Sequence, residues 1–131
     1  MTDANDPVAS KLNALPKHVV STTLDAPKWH GSHVVKGDVV ARISELKQQH
    51  RDGQLQVHGS CELAQTLIAN DLVDVYELFV FPVTVGQGIK LFGAGTQATT
   101  LKLVSSRACS NGLVINQFER GGPLKTFTVG T

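Results

Sequence analysis

The stretch at residues 57–67 passes from an extended apolar segment into a helical pattern, and this change constrains the fold more than any other feature of the chain. Leu55 and Val57 alternate with polar residues as in a strand, and Gly59 and Ser60 then open an amphipathic helix. Ser60 is predicted to cap this helix, and Gly59 lets a ligand approach the backbone without meeting a Cβ. The free amides of a helix start favour anions, so the turn is a candidate phosphate site, although many such turns bind nothing.

Composition limits the classes of function. The chain has 131 residues, of which 41% are hydrophobic and 18% charged, which predicts a single domain over residues 1–131 with an arm at 1–16 and a tail at 121–131. Twelve Lys and Arg residues face eleven Asp and Glu residues, and there is one Trp and one Tyr. Without a basic stripe or stacking aromatic residues, nucleic acid is not an expected partner.

The spacing of the cysteines and the length of the apolar segments indicate the compartment in which we expect the protein, the cytoplasm. Cys61 and Cys109 are far apart in the sequence and fit neither a disulfide framework nor a zinc-binding spacing. No apolar run approaches the roughly 20 residues of a membrane span, and the first residues do not form a signal peptide. We therefore expect a cytoplasmic protein with reduced thiols, no metal site and no membrane partner.

The order of periodic segments predicts an α/β fold. Asp38 is predicted to cap a helix whose apolar residues Val39, Ile43 and Leu46 recur with helical spacing, and Asn70 is predicted to end the second helix in a left-handed conformation. Asn111 and Gly112 predict a hairpin turn. The predicted strands are 17–24, 32–35, 54–58, 75–85, 99–107 and 113–120, in a mostly parallel sheet with an antiparallel C-terminal hairpin and flanking helices.

Four segments in this order carry a family resemblance: VVSTTL at 19–24, VHGSCELAQTL at 57–67, NDLVDVYELFVFPVTVGQGIKLF at 70–92 and LKLVSSRACSNGLVINQF at 101–118. With them the chain resembles the riboflavin-biosynthesis reductase C-terminal domain family over about residues 5 to 120, and that family shares the dihydrofolate reductase fold. The resemblance implies an NADPH-dependent reductase that transfers hydride to a small unsaturated substrate. It singles out no proton donor in this chain.

The resemblance also implies where the cofactor would lie. It places the pyrophosphate at Gly59, Ser60, Cys61, Glu62 and Leu63, and the adenosine ribose with its 2′-phosphate at Ser21, Thr22 and Thr23. Family members often carry Arg at the position of Thr22, and a neutral hydroxyl lacks the charge-assisted phosphate contact of Arg. The position therefore leaves open the choice between NADPH and NADH.

Two further differences between this chain and the family that it resembles concern the substrate and the assembly of the chain. His58 is the candidate substrate-binding residue, and it stands where the riboflavin enzymes often have a Glu, which argues against their pyrimidine substrate. The family usually begins with about sixty further residues that contain the first central strand, and its loss would expose two apolar strand edges. Either the gap closes by direct pairing or another chain fills it, so we expect a homodimer or higher homo-oligomer, which could be strand-swapped. The alternative function is a truncated, non-catalytic homo-oligomeric remnant with weak or no nucleotide binding.

Overall fold

The computed structural model describes residues 6–58 and 60–126, and its contacts divide the chain into two compact units, 1–55 and 56–131. Each unit is described by itself below. In the described part no helix has the length and the apolar character needed to cross a membrane. The prediction of a single domain stays a prediction.

The first unit contains two helices and a pair of parallel strands. Helix α1 spans Pro7–Ala14, strand β1 Lys17–Val20, strand β2 Ser32–Val35 and helix α2 Val39–Gln49. Strands β1 and β2 pair in parallel, with Val20 opposite Val35. Both strands therefore end at the same edge, and the segments that follow them lie side by side.

Both helices of this unit begin at a capping aspartate. The Asp6 carboxylate accepts a hydrogen bond from the Val8 amide at 2.8 Å, and the Asp38 carboxylate accepts one from the Ala41 amide at 3.0 Å. Such caps satisfy amides that have no partner within the helix. The cap predicted at Asp38 is confirmed. Helix α1 is longer than the single turn expected in the N-terminal arm.

A histidine pair lies on the parallel strands. His18 of β1 stands opposite His33 of β2, with ring centroids 5.7 Å apart, and Nδ1 of His18 is buried without a hydrogen-bond partner. Burial lowers the pKa of His18 below its usual 6.5, and the charges of His33, Arg42 and His50 lower it further. The surroundings of His18 in this unit therefore favour its neutral form.

The second unit contains one helix and an antiparallel sheet. Helix α3 spans Cys61–Ala69, and strands β3, β4 and β5 span Val75–Val80, Thr99–Ala108 and Val114–Pro123. The strand order is β3-β5-β4, so β3 pairs only with β5 within the described residues. Large apolar side chains on β3, Val75, Phe79 and Val80, are about half exposed, at 46%, 51% and 53%. These three side chains are thus partly accessible, and the expected exposure of two strand edges stays a prediction.

One arginine connects β5 to the turn between α3 and β3. Arg120 contacts the Asp71 carboxylate at 2.6 Å through Nη1 and the Asp74 carboxylate at 3.0 Å through Nη2. Its Nη1 also donates a hydrogen bond to the Asp71 carbonyl at 3.0 Å. The hydrogen bond to Asp71 is the main reason why the pKa of Arg120 is raised. Arg120 therefore holds the turn and the sheet together.

Several predicted elements differ from the structure. Residues 54–58 form no strand, the strand predicted at 75–85 ends at Val80, and the strand predicted at 17–24 ends at Val20. The described strands form two separate sheets, and only β1 and β2 are parallel, so the prediction of a mostly parallel sheet is wrong in this respect. The C-terminal hairpin is confirmed, and β5 extends into the predicted tail as far as Pro123.

Candidate functional site

The first turn of α3 is the candidate anion site. Ser60 stands at the N-cap position with an extended backbone, as predicted, but its side chain makes no capping hydrogen bond. The first amides of a helix have no partner within the helix, so the expected serine cap does not satisfy those of α3. Cys61 and Glu62 are exposed and Leu63 is half-buried. The turn thus offers backbone donors on a largely accessible surface.

The two residues before this turn were also predicted to contribute. Gly59 lies outside the described residues. His58 is exposed, and its Nε2 lies 3.2 Å from the Gln56 Oε1. It stands in an irregular segment and not at the end of a strand. Its side chain is therefore accessible to a ligand, as a substrate-binding residue must be.

A groove beside α3 was not predicted from the sequence. It has a volume of about 360 Å³, and one wall is the α3 surface that carries Glu62, Gln65, Thr66 and Ala69. Residues 93–96 form the other wall. The Gln65 Nε2 donates a hydrogen bond to the Lys90 carbonyl at 2.6 Å, which holds the 90–96 segment against the helix. The volume lies at the small end of the range for ligand pockets.

The hydroxyl groups predicted to contact adenosine lie at the end of β1. The Ser21 Oγ accepts hydrogen bonds from the Leu24 amide at 3.0 Å and the Thr23 amide at 3.3 Å, which closes a compact turn. Thr22 is exposed at its tip. Ser21, Thr22 and Thr23 therefore form one turn, and their contact with adenosine stays a prediction. They belong to the unit 1–55, whereas residues 60–63 belong to the unit 56–131.

A charged pair beside this turn was missed by sequence reasoning. Lys36 directly follows β2, and its ammonium group forms an ion pair with the carboxylate of Asp25. Because Val20 and Val35 are register partners, Lys36 emerges next to Ser21, whose amide donates to the Val35 carbonyl at 3.4 Å. The signal would have been the parallel pairing of β1 and β2, which composition and periodicity alone do not give.

Cysteine chemistry and metal binding have less support among the described residues. Cys61 and Cys109 are both free thiols. No group of three or more His, Cys, Asp or Glu side chains within 6–58 and 60–126 is arranged to hold a metal ion.

Comparisons with solved structures show the fold. A candidate riboflavin biosynthesis protein from Shewanella sp. PV-4 superposes with a TM-score of 0.68 at 24% sequence identity, over 82% of this chain and 61% of that protein. A pyrimidine reductase-like protein from Corynebacterium diphtheriae superposes with a TM-score of 0.56 at 15% identity, over 79% of this chain and 48% of that one. The chain has their dihydrofolate reductase-like α/β fold, although its sheet pairing differs in detail from the expected one.

Sequence comparison gives the family. The uncharacterized protein YyaP of Bacillus subtilis is 30% identical over 80 residues, which are 61% of this chain and 42% of that protein. The chain thus spans less than two thirds of the length of these relatives. The profile of the RibD C-terminal domain matches residues 2–115, which is most of the sequence. The chain therefore belongs to the RibD C-terminal domain family.

Proposed function

We propose that the chain is an NADPH-binding reductase domain that acts in the cytoplasm as a homo-oligomer on a small unsaturated substrate. One observation carries the proposal: the start of α3 lacks a serine cap, so its amides are available to an anion. Family membership indicates which anion to test first, because the related structures include a pyrimidine reductase-like protein.

The donor set fits a pyrophosphate. Helix α3 has nine residues, enough for the aligned peptide dipoles to favour negative charge at residues 60–63. Glu62 opposes an anion through its own charge, but its side chain lines the groove on the flank of α3. A phosphate at the amides would therefore meet the backbone of the first turn more directly than this carboxylate.

The nicotinamide ring, when bound, supplies the hydride, and the protein supplies position and surroundings. The first turn of α3 would hold the pyrophosphate, residues 21–23 would hold the ribose and its 2′-phosphate, and His58 would contact the substrate. The free thiols of Cys61 and Cys109 support a reducing compartment. The half-exposed apolar side chains of β3 support self-association.

The decisive test removes one backbone donor and keeps the helix. Cys61 is the first residue of α3, where proline is tolerated, and the extended backbone of Ser60 suits a residue before proline. Cys61→Pro deletes the Cys61 amide hydrogen, whereas the control Cys61→Ser keeps it. Loss of one hydrogen bond to a charged group should weaken NADPH binding by about tenfold or more in Cys61→Pro only.

Binding is measured by calorimetry and by thermal shift, with circular dichroism to confirm that α3 persists. Equal affinities for the two variants would remove the α3 start from the site. Absence of NADPH binding to the unmodified chain would refute the reductase proposal. Binding without consumption of NADPH over a panel of carbonyl and imine compounds would favour the non-catalytic alternative.

A further inference from the structure

Lys36 and Asp25 form an ion pair at the edge where β1 and β2 end, and nothing in the proposed function uses it. The Lys36 side chain is 48% exposed and the Asp25 side chain 83% exposed. Both lie in the unit 1–55, together with the hydroxyl turn at 21–23. The pair is thus accessible, and Asp25 directly follows the hydroxyl turn that the Leu24 amide closes.

The backbone fixes the Lys36 Cα at this place. β1 and β2 run in parallel with Val20 opposite Val35, and the Ser21 amide donates to the Val35 carbonyl. Gly37 follows with a positive φ of 80°, and a Cβ added there would meet nothing within 4 Å. The space beside the Gly37 Cα is therefore open.

The ion pair shows that Lys36 reaches and holds an anionic group beside the hydroxyl turn. A carboxylate and a phosphate dianion present similar oxygen acceptors to an ammonium group, and the phosphate carries the larger charge. The hydroxyl turn itself carries no charged side chain, since residues 21–23 are Ser, Thr and Thr. The cation nearest to this turn in the pairing of β1 and β2 is therefore Lys36, which directly follows β2.

We propose that Lys36 binds the 2′-phosphate of NADPH and that Asp25 competes with this phosphate for the ammonium group. Lys36 is then the residue that selects NADPH over NADH, and Asp25 limits the strength of that selection. The inference rests on the proposed function for its ligand. This inference differs from the proposed function because it names Lys36 and Asp25 and expects opposite effects from their two charges.

The experiment compares four variants: Lys36→Gln, Lys36→Arg, Asp25→Asn and the control Lys28→Gln, which removes an exposed lysine of the same loop region. Each is titrated with NADPH, NADH, 2′,5′-ADP and 5′-ADP, and its thermal stability is recorded. Lys36→Gln should lose about tenfold or more in affinity for NADPH and 2′,5′-ADP while NADH and 5′-ADP are unchanged. Lys36→Arg should retain the preference, and Asp25→Asn should strengthen binding of the 2′-phosphate ligands only.

The outcomes separate this inference from the proposed function. If NADPH binds and Lys36→Gln changes all four affinities equally or none, the inference is wrong and the reductase proposal stands. If 2′,5′-ADP binds through Lys36 but NADPH does not bind, the inference holds and the reductase proposal fails. If no nucleotide binds the unmodified chain, both are wrong. A weakening by Asp25→Asn would overturn the competition between carboxylate and phosphate.

Discussion

The contacts of Arg120 lead to a quantitative prediction about stability. Its guanidinium group reaches the Asp71 carboxylate at 2.6 Å, the Asp74 carboxylate at 3.0 Å and the Asp71 carbonyl at 3.0 Å. Arg120→Met removes all three contacts and keeps an unbranched side chain of similar reach. The ion pairs are partly exposed, so each contributes only about 0.2–1 kcal/mol after solvent screening. The hydrogen bond to the carbonyl contributes about 1 kcal/mol.

The expected loss for Arg120→Met is therefore about 2 kcal/mol in the free energy of unfolding. Arg120→Lys keeps the charge but has no planar fork to serve both aspartates and the carbonyl, so we expect about half that loss. Urea denaturation followed by far-ultraviolet circular dichroism measures both values. The chain's only tryptophan, Trp29, belongs to the other unit, so its fluorescence is not the reporter of choice.

Two results would refute this reasoning. A loss below about 0.5 kcal/mol for Arg120→Met would place the ion pairs of Arg120 with Asp71 and Asp74 among the surface ion pairs that contribute nothing measurable. Equal losses for Met and Lys would show that the fork geometry has no role. High salt should reduce the difference in the free energy of unfolding between the unmodified chain and Arg120→Met, because salt screens exposed charges.

Three further predictions concern other parts of the chain. Leu46→Ala should destabilise the first unit by about 2–5 kcal/mol, since this side chain is 2% exposed, and Trp29 fluorescence during denaturation measures it. The pKa of His18 is lowered in the folded chain, so the unfolded chain binds its proton first and stability should fall as the pH drops below 6.5. His18→Phe should flatten that dependence in denaturation curves recorded from pH 7 to about 5, and an unchanged slope would contradict the assignment. Gly121→Ala should lower the melting temperature, because its Cβ would lie 2.9 Å from the Thr100 carbonyl oxygen, whereas the control Gly53→Ala meets nothing closer than 3.7 Å.

Local signals predicted α2, α3 and the hairpin well. Asp38 caps α2 as expected, and Leu46, on its predicted apolar face, is buried. Gly112 has a positive φ of 86° in the turn between β4 and β5. These features depend on residues close together in the sequence, so a side chain and its immediate neighbours determine them.

Strand limits could not be predicted because they depend on a distant partner. Val80 pairs with Val114, the first residue of β5, so β3 has nothing to pair with beyond it despite the apolar residues that follow. The same rule ends β1 at Val20, opposite the last residue of β2. Residues 54–58 form no strand despite their apolar alternation, so alternation alone was not a sufficient signal there.

In the candidate site, too, features that depend on nearby residues were easier to predict than features that depend on distant ones. The helix start at residues 60–63 was predicted from the glycine and serine turn, but the side-chain cap by Ser60 was wrong. The left-handed end predicted at Asn70 was also wrong, since Asn70 has a φ of −102° and Asp71 takes the positive φ of 55°. Asp71 is held there by Arg120, which is distant in the sequence. Lys36 was missed for a similar reason, because its neighbours come from another strand.

The missing cap on α3 has a consequence for hydrogen–deuterium exchange. Within the described residues, α1 and α2 each have a first-turn amide held by an aspartate, whereas the N-cap side chain of α3 holds none. Amides without a hydrogen-bond partner exchange rapidly with solvent. Deuterium should therefore enter the start of α3 before it enters the Ala41 amide of α2. A bound anion would slow that uptake at residues 61–63, so the ligand can be found by its protection of these amides before any substrate is known.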